Sequence, residues 1–303
     1  LKNMKNNIAV IGLGSMGYGI ATSCLRSGHL VWGVDTNIDQ VKAFCSQGGQ
    51  ASTLSSVIDR IDVVVVVVLN SVQTEEVLFG QEGLVENLKP GTVVISCATV
   101  APTFAIDMEK RCKEFEVFYL DAPISGGALK AKNGQLSIMA SGVKEAFQHA
   151  RPTLDSISET VFELGDEAGT GSAMKSVNQL LAGVHIAVMA EALTFGISQG
   201  ISPDKFVEVI SKCAGTSWML ENRAPHIVNG DYKPHSSINI WPKDLGIVLD
   251  VALESKFNAP IATAALEQFR TAVDMGLGFE DDAAVAKVYA KSANLSLPKK
   301  NDV

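Results

Sequence analysis

The sequence predicts an α/β unit built on a doubly wound parallel sheet, followed by an all-α unit and joined to it by one long helix. Three observations carry that expectation. Short apolar strands alternate with helix-like stretches through about residue 165, the pattern of strands that return in parallel through crossover helices. A glycine-rich turn, Gly12-Leu13-Gly14-Ser15-Met16-Gly17, follows the first strand and opens a helix. After Gly169 the strand signal stops, and residues 172–199 keep a helical, largely apolar period for about seven turns.

Strands are predicted at 8–11, 30–34, 62–68, 92–96 and 117–120, with further ones near 136–140 and 160–163. The unbroken aliphatic run Val63 to Leu69 reads as a central parallel strand covered on both faces, and it is far too short to cross a bilayer. Asp121-Ala-Pro-Ile-Ser-Gly-Gly reads as a loop after a strand. The long helix is apolar on most faces, through Val177, Leu180, Leu181, Val184 and Val188, so burial between domains or subunits is expected. Ser202 and Pro203 form a cap and first-turn pair for the next helix, and helix-like stretches follow at 243–255, 260–275 and 281–292. The expected division is a dinucleotide-binding unit over 1–168 and a helical substrate and oligomerisation unit over 169–303.

Composition narrows the class. With 303 residues, 47% hydrophobic and 19% charged, the chain has the make-up of a compact protein able to hold two domains. A net charge of −8 argues against nucleic acid or an anionic membrane as the main partner, since both demand basic surface. A small anion can still be recruited by local positive charge. Five cysteines (Cys24, Cys45, Cys97, Cys112, Cys213) lack any C-x-x-C spacing, which points to reduced thiols in the cytoplasm. The polar LKNMKNN is followed at once by the glycine motif, so no signal peptide is expected in this stretch. The five histidines have no ligand spacing, and no metal is expected.

The glycine turn has a specific physical logic. Gly12 permits a tight strand-to-helix turn, Gly14 lets a pyrophosphate approach the backbone, and Gly17 lets helix and strand pack closely, which is the dinucleotide cradle of a Rossmann-type unit. Asp35 lies 18 residues beyond Gly17, at the end of the second strand, where a carboxylate accepts ribose hydroxyls and repels a 2′-phosphate. Thr36 and Asn37 follow it with no arginine nearby, so NAD is expected over NADP. Ser125, Gly126 and Gly127 offer a hydroxyl and unobstructed N–H groups that suit a substrate carboxylate. Lys175, Asn178 and Gln179 are spaced by three and four, which places them on one helix face, and such groups are costly to leave unpaired on an apolar helix. Trp241-Pro242-Lys243-Asp244-Leu245 opens a helix in the second half.

These four motifs, in this order over about residues 8–290, resemble the β-hydroxyacid dehydrogenase family, which includes 3-hydroxyisobutyrate dehydrogenase and tartronate semialdehyde reductase. The resemblance implies that Lys175 is the general acid/base and that Ser125, Gly126, Gly127, Asn178, Gln179 and Lys243 hold the substrate. It also implies cofactor contacts from Gly12 through Gly17, Asp35, Thr36, Asn37, Leu69, Asn70, Thr99, Lys243 and Asp244. The substrate carboxylate would dock at Ser125-Gly126-Gly127, and Lys175 would take the C2 hydroxyl proton as hydride leaves for the nicotinamide. Burial beside Lys243 and a cationic nicotinamide would lower that lysine from its usual ~10.4. A homodimer or homotetramer is expected from so apolar a second half.

Some positions depart from the family pattern. Ser96-Cys97-Ala98-Thr99 stands where Asp-x-Ser-Thr is common, Leu69-Asn70 where Leu-Pro is common, and Pro242 where an apolar residue is usual. Residues 175–193 and 221–250 resemble the branch that oxidises L-threonate at C2 with NAD to 2-dehydro-L-erythronate. Tartronate semialdehyde reduction and 3-hydroxyisobutyrate oxidation are the alternatives. A non-catalytic NAD-binding regulator would have little reason to keep Lys175, Asn178 and Lys243 together.

Overall fold

A computed structural model describes residues 5–300. The chain divides into two compact units, the first ending at Lys175 and the second starting at Ser176. The first unit alternates strands and helices: β1 (Asn7–Ile11), α1 (Gly17–Arg26), β2 (Leu30–Val34), α2 (Ile38–Ser46), β3 (Val63–Val66), α3 (Ser71–Phe79), β4 (Val93–Ser96), α4 (Pro102–Lys113), β5 (Phe118–Asp121), β6 (Ile124–Ser125), α5 (Gly127–Asn133), β7 (Leu136–Ala140), α6 (Lys144–Ile157) and β8 (Ser158–Glu163).

The first five strands form one parallel sheet in the order β2-β1-β3-β4-β5. Strand order reverses beside β1, and the crevice at the carboxyl ends of such a switch point is where ligands bind. All four residues of β3 are fully buried, so one face packs on α1 and α6 side chains such as Ile20 and Leu154 and the other on those of α3 and α4 such as Leu78 and Met108. Each such aliphatic side chain contributes about 1.5–3 kcal/mol on burial.

The sheet does not continue beyond β5. β6, β7 and β8 make a separate three-stranded sheet, with β6 antiparallel and β8 parallel to β7. The segment read as a loop therefore contains a strand, Ile124–Ser125, paired with Ile138 and Ser137. Two residues are too few to show a period in sequence. The chain turns out of β6 through Gly126 and Gly127, at φ +134° and +75°, conformations that favour glycine.

Between the carboxyl end of α1 and α6 lies a buried polar network around His29. Its Nδ1 accepts the Asn6 N–H at 3.0 Å and its Nε2 lies 2.9 Å from Ser156 Oγ, whose hydroxyl proton goes to the Pro152 carbonyl. Nδ1 must therefore be unprotonated, and Nε2 carries the hydrogen.

The long helix α7 (Thr170–Ser198) runs from the first unit into the second, which continues with α8 (Pro203–Ile210), α9 (Trp218–Val228), α10 (Ile240–Glu254), α11 (Pro260–Asp274) and α12 (Ala286–Ser292). Ser202 caps α8 by accepting the Lys205 N–H. α9 has no counterpart in the sequence reading, because Pro225 inside it weakens the helical signal. Ile186, Met189 and Leu193 of α7 are buried with Trp241, Leu245, Leu266 and Phe269, and Trp241 stacks on Phe269 at 5.5 Å. By length and composition α7 is the one helix among the described residues able to cross a membrane. Its buried face makes it the core helix of this unit. On the opposite side Met174, Leu181, Val188 and Phe195 are exposed.

Burial holds the His29 pKa below its ordinary value. The stabilisation from its neutral form is full above the unfolded value of ~6.5 and is lost as pH falls from there toward the lower folded value. The melting-temperature advantage of the native chain over His29→Leu should shrink between pH 7.5 and 5.5. A constant or widening gap would contradict a buried, neutral His29.

Candidate active site

The nucleotide half of the site is assembled where β1 meets α1. Gly12 turns the chain at φ +94°, with the space for a Cβ only 2.3 Å from the Val67 carbonyl oxygen, and a Cβ on Gly17 would lie 1.8 Å from the Gly12 oxygen. Those two glycines are required by the protein's own packing. Gly14 is different: a Cβ there meets nothing within 4 Å, so its lack of a side chain leaves room for something outside the chain. Met16 caps α1 with no side-chain hydrogen bond, and no acidic residue lies in the first turn. The helix therefore offers free N–H groups and the positive end of its dipole to a phosphate.

Asp35 pins this loop to the end of β2. Its Oδ2 accepts the Leu13 N–H at 2.6 Å and its Oδ1 accepts the Asn37 N–H at 2.7 Å, and each oxygen keeps a further lone pair for a ribose hydroxyl. Thr36 and Asn37 are exposed beside it, and Asn37 also caps α2. After β3, Leu69 is exposed, and Asn70 caps α3 by accepting the Gln73 N–H at 2.9 Å. Asn70 thus satisfies a helix end where the family often has proline. Thr99 is half-buried just past β4. These residues line the carboxyl ends of the parallel strands and fit a bound dinucleotide.

The first unit also carries the lysine. Lys175 lies on α7, is 8% exposed, and its Nζ donates to the Ile124 carbonyl at 2.9 Å. Ile124 immediately precedes Ser125, Gly126 and Gly127, so the Lys175 Nζ is held beside the backbone proposed to take a carboxylate.

A residue without a role in the sequence reading sets this geometry. Asp121, 1% exposed, accepts the N–H groups of Gly169 and Ser172 at 2.9 and 2.7 Å and the Ser172 hydroxyl at 2.6 Å. Ser141 Oγ accepts the Gly171 N–H at 3.0 Å, and Glu109 accepts that of Ala168 at 3.1 Å. Burial pushes both the Asp121 and Glu109 carboxyls up, against the hydrogen bonds that favour their ionised forms. The available signal was indirect: Gly169-Thr170 offers no strong local cap for so long a helix, so its first N–H groups had to find acceptors elsewhere.

In the second unit, Asn178 and Gln179 lie one helical turn beyond Lys175. Asn178 Nδ2 donates to Gln179 Oε1 at 2.9 Å, and Gln179 Nε2 donates to Asp244 Oδ2 at 2.5 Å. Lys243 Nζ lies 2.5 Å from Asp244 Oδ1, an ion pair whose angles fall outside hydrogen-bond geometry. Pro242 is the third residue of α10, where a backbone N–H has no partner within the helix, so it is accommodated without a break before Lys243. Trp241 Nε1 and Arg223 Nε both donate to Asp282, which fixes the same turn from its other side.

Two family models account for most of the chain: the NAD binding domain of 6-phosphogluconate dehydrogenase over residues 7–165, and the NAD-binding domain of NADP-dependent 3-hydroxyisobutyrate dehydrogenase over 169–289. L-threonate dehydrogenase of Cupriavidus necator is 46% identical over 94% of this chain and 97% of its own length. The enzyme of the same name from Escherichia coli strain K12 is 42% identical over 94% and 95%. A solved structure described as 3-hydroxyisobutyrate dehydrogenase from Salmonella typhimurium superposes with a TM-score of 0.88 at 40% identity, covering 94% of this chain and all of that one. Cradle, relatives and architecture together define an NAD-dependent oxidoreductase acting on small hydroxy acids. The chain belongs to the β-hydroxyacid dehydrogenase family, the group typified by 3-hydroxyisobutyrate dehydrogenase.

The two kinds of glycine separate by mutation. Gly14→Ala should keep its melting temperature within about 1 °C yet bind NAD at least about tenfold more weakly by calorimetry. Gly17→Ala should lose about 3 kcal/mol or more of stability, or fail to accumulate. Native NAD affinity in Gly14→Ala would remove the cradle assignment.

Proposed function

We propose that this chain oxidises L-threonate at C2 to 2-dehydro-L-erythronate, with NAD preferred over NADP and Lys175 as the general base. The observation that carries the reading is the placement of Lys175 Nζ on the Ile124 carbonyl, directly beside Ser125-Gly126-Gly127. Bound NAD supplies the hydride acceptor. The N–H groups and hydroxyl of residues 125–127 hold the substrate carboxylate, and Lys175 as the amine takes the C2 hydroxyl proton. As the ammonium it donates to the new carbonyl oxygen while keeping its bond to Ile124. Lys243, restrained by Asp244, and Asn178 serve as further polar contacts for the hydroxyls of the acid. A polyhydroxy acid suits these groups because a ligand without hydroxyls leaves them unpaired.

The relatives support the substrate, since the two cited above share its name across nearly their whole length. Asp35 supports NAD, because its carboxylate repels a 2′-phosphate. The exposed seven-residue series Met174, Leu181, Val188 and Phe195 supports a homodimer or homotetramer, as unpartnered apolar seams mark association sites. The free cysteines fit a cytoplasmic protein. A second reading, oxidation of 3-hydroxyisobutyrate, is favoured by the name of the Salmonella structure.

NADH formation from a panel of acids tests the choice. L-threonate should exceed 3-hydroxyisobutyrate in kcat/KM by at least about 100-fold, with glycerate the best of the remainder, and NAD should outperform NADP. Equal or better activity on 3-hydroxyisobutyrate would overturn the substrate, and strong tartronate semialdehyde reduction without L-threonate oxidation would replace it.

A further inference from the structure

We propose that Asp244 and Gln179 act together to fix the polarity of Asn178, so that its carbonyl oxygen faces the substrate and selects acids with a hydroxyl beyond C2. The proposal rests on the reading that Lys175 works at C2 of a hydroxy acid. Gln179 is then a positioning residue and Asn178 the contact.

Asp244 is the one member of this relay that has no choice. A carboxylate can only accept hydrogen bonds. Asp244 is 3% exposed and anchored through Oδ1 by Lys243, and its Oδ2 meets the Gln179 side chain at 2.5 Å. Gln179 must therefore turn its NH₂ toward Asp244, which leaves Oε1 on the other side. That oxygen faces the Asn178 amide at 2.9 Å, so Asn178 must turn its own NH₂ to Gln179 and direct Oδ1 away from the relay. Flipping Asn178 would set two carbonyl oxygens against each other. Flipping both amides would set the Gln179 oxygen against a carboxylate. With Gln179 7% exposed, water cannot stand in for the lost partner, so either flip leaves a buried group unsatisfied.

The polarity imposed at Asp244 is thus carried to Asn178, half-buried and one turn from Lys175. Neighbours at that spacing have Cβ atoms about 5–6 Å apart, the scale of an adjacent carbon on a short acid. A carbonyl oxygen in that place accepts from a hydroxyl, repels a carboxylate or ketone oxygen, and gains nothing from a methyl group. A freely rotating amide would treat donors and acceptors alike. Selection between hydroxylated and deoxygenated acids then depends on a buried residue that touches no substrate.

The test compares kcat/KM for L-threonate with those for its 3-deoxy and 4-deoxy analogues, in the native chain, Gln179→Met and Asn178→Ala. The native chain should prefer L-threonate to at least one analogue by about 100-fold or more, and each variant should reduce that ratio at least about tenfold. A purely structural role for Gln179 would lower all substrates together and leave the ratio unchanged. Asn178→Ala, which leaves the Gln179–Asp244 pair in place, carries the test if Gln179→Met does not fold. Unchanged ratios in both variants, with L-threonate still preferred, overturn the proposal and leave the substrate assignment standing. A native chain indifferent to both deoxygenations overturns it as well. If glycerate proves the better substrate, the assignment of L-threonate falls and the proposal is decided by the same ratio for glycerate against lactate. If 3-hydroxyisobutyrate is best, both fall.

Discussion

The buried Asp121 carboxylate at the end of β5 is the interaction from which the placement of Lys175 follows. A 29-residue helix begins with N–H groups that need acceptors, and here they come from side chains far off in sequence, led by Asp121 to Gly169 and Ser172. Gly171 completes the fit, since a Cβ on it would lie 2.5 Å from the Asp121 backbone oxygen. The same short segment that grips the helix head supplies Ile124, whose carbonyl holds Lys175, and then Ser125. Helix, lysine and the Ser125-Gly126-Gly127 backbone are thereby referenced to one strand end. An unsatisfied buried donor costs about 1–3 kcal/mol, so the helix has little freedom to start elsewhere.

The clamp costs stability at neutral pH. Burial raises the folded pKa of Asp121 and Glu109 above their unfolded values, so between those values the folded chain binds more protons. Their contribution is most favourable at low pH and declines as pH rises through the folded pKa values. The hydrogen bonds that the two carboxyls accept order the segment 168–172. In the second unit Asp282 plays an analogous part, taking Arg223 and Trp241 and so fixing the first turn of α10, from which Lys243 and Asp244 project.

The glycine cradle, the acid after the second strand, and the lysine with its two amides were legible because each rests on local spacing. Gly12, Gly17 and Asp35 act within one βαβ turn, and Lys175, Asn178 and Gln179 within one turn of a helix. What was not legible depends on long-range register. The β6–β7 pairing needs Ile124 opposite Ile138, which no period of two residues announces. Asp121 was visible in its motif, yet its partners are 48 and 51 residues away. Gln179 reads from its spacing as one more substrate amide, and its hydrogen bond to Asp244, 65 residues distant, is set by tertiary contact.

In the proposed reaction Lys175 moves the proton while the dinucleotide is held elsewhere. The most direct measurement pairs kcat for a hydroxy acid with the NAD dissociation constant in Lys175→Ala. Loss of general acid–base catalysis predicts a fall in kcat of about 10²–10⁴-fold, with NAD affinity within about twofold of the native value. A variant that keeps more than about a tenth of native kcat, or loses NAD binding along with turnover, would contradict it.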